Sequence, residues 1–442
     1  MSNGKPTISF VTLGHVDHGK STTMGRFLHE IGEIDSRRLE RMRKEAEEMG
    51  MLEQVWAFTL DSLPEEREKG LTSDIAFQSF ETQKYVFAIL DAPGHRDFVK
   101  NMIRGASQAD ACLLVISAEP GDLRAGLKLG DAHNPGGQTR EHAIIGSVLG
   151  IQQIIVLVNK MDLVNYSEEA YNNAVEKIKT LFRQIGATWA KMDVPFIPIS
   201  GKEGVNLTEP SSQMSWYEGK TLYAALDDLS PPDDRSNLPL RFIAQDTFDL
   251  PGSGAVLQGR VASGVLKTGQ DILAHPGSHR GTVREILVEA QTVPVLKSGA
   301  FAVVSLNGID RDTLFQPGLV LSATTDPPVD LRSLTIRTLV LDSSNPFSPG
   351  KTCVIHIGTA DVACTITQIV NIVQEKSKYS RIPRKQEGNI TLLFPGEVGE
   401  LQVKPDFKLV AESYDRFPDL GRVIFRSMGQ TIAVGQVLDI NV

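Results

Sequence analysis

The chain is poor in cysteine, with three in 442 residues at positions 112, 353 and 364. Each lies in an apolar stretch and none has metal-ligand spacing. A disulfide framework and a zinc site are therefore excluded as organising principles, and reduced core thiols in a reducing compartment are expected. Basic residues are also in deficit: 45 Lys and Arg face 54 Asp and Glu, a formal net charge of −9. That balance removes any whole-protein electrostatic argument for a nucleic-acid partner and leaves only local patches. No apolar run reaches the ~18 residues that a membrane helix needs. Met1 to Pro6 carry no signature of a secretory or transit leader, so no membrane partner and a cytoplasmic location are expected. What is present, 41% hydrophobic and 22% charged residues, is the composition of a globular protein with real cores. The length calls for two to four domains.

The strongest local signal is Gly14-His15-Val16-Asp17-His18-Gly19-Lys20-Ser21, the spacing G-x-x-x-x-G-K-[ST] of a phosphate-binding loop. Ile8 to Leu13 before it reads as a buried strand, and Thr22 to Ile31 after it as a helix. The glycines let backbone N–H groups curl around phosphate oxygens, and the helix start adds a partial positive charge. The candidate phosphate-binding residues are thus His15, Val16, Asp17, His18 and Gly19 with Lys20, Ser21 and Thr22. Lys20 would reach the β- and γ-phosphates, and the Ser21 hydroxyl would ligate Mg²⁺.

The following stretches extend this reading. Asp35 is a suitable N-cap for a charged, solvated helix from Ser36 to about Met49, with Gly50 to stop it. Glu65 to Thr72 reads as a switch segment in which Thr72 ligates Mg²⁺ and senses the γ-phosphate. Ser73–Phe80 and Tyr85–Leu90 read as strands. The second leads into Asp91-Ala92-Pro93-Gly94-His95, where Asp91 suits Mg²⁺, Gly94 lets its N–H approach the γ-phosphate, and His95 can orient an attacking water. A helix is expected from about Arg96. Ala111–Ser117 and Ile154–Val158 are strands, and Thr139–Leu149 is a helix. Asn159-Lys160-Met161-Asp162 follows the last of those strands. The Asp162 carboxylate can accept from the guanine N1–H and exocyclic amine together, a pairing that adenine cannot offer. Asn159 would serve the other edge of the purine, and the Lys160 stem would stack on its ring. Ser200-Gly201-Lys202, after strand Phe196–Ile199, would back the base.

Strands and helices alternate over residues 8 to 229, which predicts an α/β, mostly parallel, doubly wound sheet with its ligand at the strand C-termini. The cofactors expected are GTP or GDP with Mg²⁺. The breaker cluster Ser230 to Asp234 marks a boundary. Beyond it, short β-branched runs separated by glycines, from Leu240–Ala244 through Val410–Glu412 to Thr431–Val437, predict the strands of two small β-barrels. The expected domains are 1–230, 238–325 and 331–442. In the last, the basic run Lys376 to Lys385 either faces RNA phosphates or is a solvated hairpin tip.

Taken together, Gly14 to Thr22, Asp91 to Ile103, Gly105 to Asp110, Gly137 to His142, Asn159 to Asp162, Phe417 to Arg422 and Gln430 to Gly435 resemble the translational GTPase family, in particular its elongation factor 1-alpha branch in archaea and eukaryotes. The resemblance spans essentially the whole chain. It implies a P-loop GTPase domain followed by two β-barrels, working as a GTP-driven switch on the ribosome. It further implies that His95 orients the hydrolytic water when the ribosome presses it inward, that Val16 and Leu71 form the apolar gate holding it back, and that Asp17 holds a monovalent cation. A nucleotide exchange factor and a monomeric state belong to the same expectation. The cargo implied is aminoacyl-tRNA. Release-factor and ribosome-rescue relatives carry a tRNA-shaped protein instead. The chain departs from the family at Gly259-Arg260-Val261-Ala262, where relatives of the first barrel carry Glu in place of Ala262, and in extra residues around Lys128 to Gly136.

Overall fold

The computed structural model describes residues 5–51, 55–58, 76–91, 98–130, 136–250, 254–288, 291–329, 331–341, 344–376, 382, 384–386 and 389–442. The chain divides into two compact units that meet in sequence at Pro231–Pro232.

The first unit is built on a six-stranded sheet of β1 (Thr7–Leu13), β2 (Ala76–Glu81), β3 (Val86–Asp91), β4 (Ala111–Ser117), β5 (Gln153–Asn159) and β6 (Phe196–Pro198), in the order β2-β3-β1-β4-β5-β6. Among the described residues of this sheet, only the β2–β3 pair is antiparallel. Every residue of β4 is buried, as is all of β1 after Thr7. Covered on both faces, β4 reads as a continuous apolar run up to Ser117, while β1 buries Ser9 and Thr12 among its apolar residues. The helices are α1 (Lys20–Glu30), α2 (Ser36–Glu48), α3 (Val55–Phe58), α4 (Val99–Ala106), α5 (Pro120–Leu127), α6 (Gln138–Val148), α7 (Glu168–Gln184) and α8 (Leu222–Leu226). The core around Phe10, Phe27, Phe80 and Phe87 joins α1 to the sheet. Because β1 lies between β3 and β4, the strand order reverses there, and the loop after β1 opens at the switch point where α/β sheets bind ligands.

Helix α1 starts at Lys20, two residues earlier than the sequence predicts, because Gly19 at φ 80° turns the chain straight into it. Helix α7 was not anticipated, although its start is conventional: Ser167 accepts from the Ala170 N–H, and Glu168 and Glu169 fill the first turn.

The second unit contains two closed antiparallel sheets. The first has β7 (Arg241–Leu250), β8 (Gly254–Ser263), β10 (Asp271–His275), β11 (His279–Val288), β12 (Gln291–Thr292), β14 (Phe301–Asn307) and β15 (Val320–Ala323), while β9 (Val265–Lys267) and β13 (Val295–Lys297) pair with each other as a separate two-stranded sheet. Six of these close as β10-β15-β7-β8-β14-β11, with β11 returning to β10. The second has β16 (Ser333–Val340), β17 (Thr352–Ile357), β18 (Ala360–Gln374), β19 (Lys385–Gln386), β20 (Asn389–Ile390), β21 (Val398–Pro405), β22 (Arg422–Ser427) and β23 (Gln430–Asn441). It closes as β17-β22-β23-β16-β21-β18, with β18 returning to β17. Closure removes the exposed edges that open sheets must protect.

A strand expected over Val410–Glu412 has no ladder partner. Its residues are buried in a seam between the barrels, where Val410 and Leu420 meet Ile243 and Val320. Its Glu412 N–H donates to the Leu420 carbonyl at 3.0 Å instead. The Arg241 guanidinium, 1% exposed, crosses this seam to the buried Glu412 carboxylate, with Nε 2.6 Å from Oε1. Burial pushes the Glu412 carboxyl above its usual range, against the pull of Arg241. The basic run Lys376 to Lys385 is spent in part on the barrel itself. Arg384 is 8% exposed and donates to the fully buried Glu397 at 2.9 Å, which also accepts the Lys376 N–H. Residues 377–381 of that run lie outside the described residues.

Candidate guanine-nucleotide site

The loop after β1 is held from behind by the protein. At Gly14, φ is 138° and a Cβ would lie 2.1 Å from the Val115 carbonyl oxygen, so no side chain fits. Its N–H donates to His142 Nδ1 at 3.1 Å. Lys20 Nζ lies back across the loop, 3.2 Å from the Gly14 and His15 carbonyl oxygens. No side chain caps α1, whose N-cap is Gly19. A glycine-capped helix start of this kind is an anion-binding arrangement.

His18 is fully buried, with Nε2 3.2 Å from the Asp122 carbonyl, Nδ1 3.2 Å from the Val115 carbonyl and Nδ1 3.3 Å from Thr139 Oγ1. Burial pulls its pKa down to about 4, against the pull of those carbonyls. In the neutral ring one nitrogen carries the proton and donates to the carbonyl it faces, Nε2–H to Asp122 or Nδ1–H to Val115. The imidazole of His18 is thus a prop beneath the loop. Asp17 is exposed, and its N–H donates to His15 Nδ1 at 3.2 Å.

Asn159, at the end of β5, is 3% exposed. Its Nδ2 donates to the His18 carbonyl at 2.8 Å and its Oδ1 accepts the Gly201 N–H at 2.8 Å. Both ends of the amide are committed to backbone, so this residue ties the phosphate loop to the Ser200-Gly201-Lys202 loop. To the purine edge expected from the sequence the structure adds the role of a strut. Gly201 is required there, since a Cβ would lie 2.2 Å from Thr23 Oγ1. Ser200 Oγ donates to Asp162 Oδ1 at 2.6 Å and fixes the plane of that carboxylate. Lys160 adopts φ 62° and its ammonium bonds Asp122 Oδ2 at 2.8 Å. Partial burial pushes the Asp122 carboxyl up, but Lys160 and the Ser117 hydroxyl outweigh this and hold it below the usual carboxylate range.

The strand ends therefore bring together His15 to Thr22, Asn159 to Asp162 and Ser200 to Lys202. Asp91 ends β3 in register with Thr12 beside it on β1. Thr72, Gly94, His95 and Leu71 lie outside the described residues. The supporting residues of α6 escaped functional assignment from the sequence: Gln138, Thr139 and His142, at most 3% exposed, all reach the loop or its prop. The available signal was three buried-type polar residues at i, i+1 and i+4, a pattern that no solvated helix needs. Among the described residues no cluster of three His, Cys, Asp or Glu side chains could hold a metal by itself. No helix among them is long and apolar enough to cross a membrane.

Comparison with known proteins agrees with this geometry. Residues 5–232 match the elongation factor Tu GTP binding domain, and residues 333–438 match the GTP-eEF1A C-terminal domain-like family. The chain is 39% identical to elongation factor 1-alpha of Thermofilum pendens over 449 residues, covering 100% of this chain and 99% of that protein. It is 40% identical to elongation factor 1-alpha of Thermoplasma acidophilum over 442 residues, again covering 100% and 99%. Among solved structures, the GTPase-like domain of S. cerevisiae Ski7 bound to GTP shares the fold, with a TM-score of 0.79 over 98% of this chain and 97% of that one at 17% identity. A P-loop GTPase unit followed by closed barrels, with full-length identity near 40%, leaves one assignment: the chain belongs to the elongation factor 1-alpha family of translational GTPases, binds GTP and GDP, and hydrolyses GTP.

Proposed function

We propose that this GTPase delivers aminoacyl-tRNA to the ribosomal A site while GTP is bound and releases it on hydrolysis. The observation that carries the reading is the full-length relation to elongation factors 1-alpha, both barrels included. Protein cargo of the release-factor kind rested on Ala262. That side chain packs against the apolar seam of Ile243, Val320, Val410 and Leu420, so its small size has a packing explanation and gives no ground for a different cargo. A monomer recharged by an exchange factor belongs to the same reading.

In this proposal the N–H groups of Gly19, Lys20, Ser21 and Thr22 and the loop from His15 to His18 cradle the phosphates, and the Lys20 ammonium leaves its two carbonyls for the β- and γ-oxygens. Asp162, held by Ser200, accepts from the guanine N1–H and amine. Asn159 keeps the two loops at one spacing, Lys160 stacks its stem on the base, and Gly201 and Lys202 close the far side. Ser21, Thr72 and Asp91 are the hard oxygen donors that suit Mg²⁺, and Ser21 opens α1 while Asp91 ends the strand beside β1. The ion, when bound, neutralises charge on the β- and γ-phosphates. The exposed Asp17 would hold a monovalent cation, and Gly94 would meet the γ-phosphate with its N–H. His95 orients the attacking water, with Val16 and Leu71 as the gate that ribosome contact opens. Positioning and charge stabilisation then carry the phosphoryl transfer.

The test is the ester bond of charged tRNA. At micromolar protein its hydrolysis should slow with a GTP analogue and not with GDP. Equal deacylation in both states, with a protein recovered on the analogue-bound form, would reject tRNA delivery.

A further inference from the structure

Two of the three cysteines face each other. Cys353 on β17 and Cys364 on β18 are direct cross-strand partners, and their Sγ atoms are 3.5 Å apart. In the same ladder the Ile366 N–H donates to the Lys351 carbonyl at 2.9 Å. Since 351 pairs with 366, the alternation of antiparallel bonding makes 353 and 364 a hydrogen-bonded pair, with Cα atoms ~5.5 Å apart. That separation lies within the span that a disulfide bridges. The sequence reading takes these thiols as reduced core residues in apolar stretches, and ten residues lie between them. The hairpin turn at Gly358–Thr359 brings them together.

We propose that Cys353 and Cys364 form a modification site, a dithiol that hydroperoxides oxidise reversibly to an intramolecular disulfide within the second barrel. Cys353 is the attacking thiol. It is 7% exposed whereas Cys364 is 0% exposed. The hydrogen bond from Cys364, and more weakly the Lys351 ammonium, hold Cys353 below the usual thiol range against burial, while the same bond and burial push Cys364 up. The Cys353 thiolate attacks one peroxide oxygen. The O–O bond breaks, Cys353 becomes a sulfenic acid, and the departing hydroxide takes up the proton that the thiol lost, leaving as water. The Cys364 sulfur then displaces the sulfenic oxygen. The S–S bond forms, the S–O bond breaks, and the oxygen leaves as a second water with the Cys364 proton. Two thiols lose two electrons and one hydrogen peroxide becomes two waters. Cys112 sits alone, fully buried in β4 of the other unit, where burial raises its pKa and leaves it inert.

The experiment treats the full chain with hydrogen peroxide, blocks remaining thiols under denaturing conditions and maps tryptic peptides by mass. Trypsin leaves 352–376 in one piece, because no Lys or Arg lies between Lys351 and Lys376, so both cysteines report on one peptide. That peptide should lose two hydrogens and resist alkylation. Dithiothreitol should restore it, and the Cys112 peptide should alkylate throughout. Met428, 98% exposed, is the internal dosimeter for peroxide. In Cys364→Ser the sulfenic acid at Cys353 should persist and be trapped by dimedone. Oxidation of Met428 with an unchanged 352–376 peptide overturns the proposal, as does oxygen addition to that peptide with no loss of hydrogen. The wild-type map decides the matter even if the variant folds poorly.

Discussion

Replacing Asn159 by Ala tests the strut directly. The amide makes two hydrogen bonds of 2.8 Å, to the His18 carbonyl and the Gly201 N–H, in a setting 3% exposed. Each bond contributes about 1 kcal/mol net, and each buried group left behind costs about 1–3 kcal/mol. The Asn159 side chain bonds to both loops, so truncation should loosen them together by about 2–5 kcal/mol. Nucleotide binding must then restore the spacing. At about 1.4 kcal/mol per decade, the GDP dissociation constant rises between roughly 30-fold and a few thousand-fold. Asn159→Asp should fall between wild type and Ala, because a carboxylate still accepts from Gly201 but offers the His18 carbonyl no donor. Calorimetric titration with GDP gives the affinity, and hydrogen exchange at the Gly201 amide reports the loop in the absence of nucleotide. GDP affinity within about threefold of wild type, with Gly201 still protected, would refute the strut.

Two further outcomes are expected. His18 has a folded-state pKa of about 4 against an ordinary value of 6.5, so between those values the unfolded chain binds the extra proton. Its contribution, about 3 kcal/mol, is complete above pH 6.5 and is lost as pH falls towards 4. Urea midpoints of the wild type and His18→Gln should converge over that window, and parallel pH profiles would disprove the assignment. Glu412→Ala leaves the Arg241 guanidinium, 1% exposed, without its carboxylate and should destabilise the second unit by about 3–5 kcal/mol. In urea unfolding, Arg241→Met with Glu412→Leu should recover most of that loss, and a single-variant loss below about 1 kcal/mol would refute the buried pair.

How much of this was legible in the sequence depended on whether a residue's partners lie nearby along the chain. Gly14 and Gly19 announce themselves because only glycine suits their backbone, and β4 and β5 because strands buried on both faces are apolar over most of their length. The six longer strands of the first barrel were readable from β-branched runs between glycines. The three short ones, β9, β12 and β13, have two or three residues each and no period to detect. Asn159 was found, but its bonds to His18 and Gly201 were not legible, since those partners lie 141 and 42 residues away. Val410 to Glu412 looked like a strand because burial in a seam selects the same apolar residues as burial in a sheet. The facing of Cys353 and Cys364 needed the strand register, which no composition reveals.

The salt link from Arg241 to Glu412 has a practical consequence for anyone cutting this gene. A chimera that exchanges one barrel and keeps the other would inherit a lone ion sealed in hydrocarbon, together with half of the contact formed by Ile243, Val320, Val410 and Leu420. The modular boundary that matters for recombination therefore lies before both barrels, near Pro232, and the pair should be inherited, transplanted and engineered as one piece.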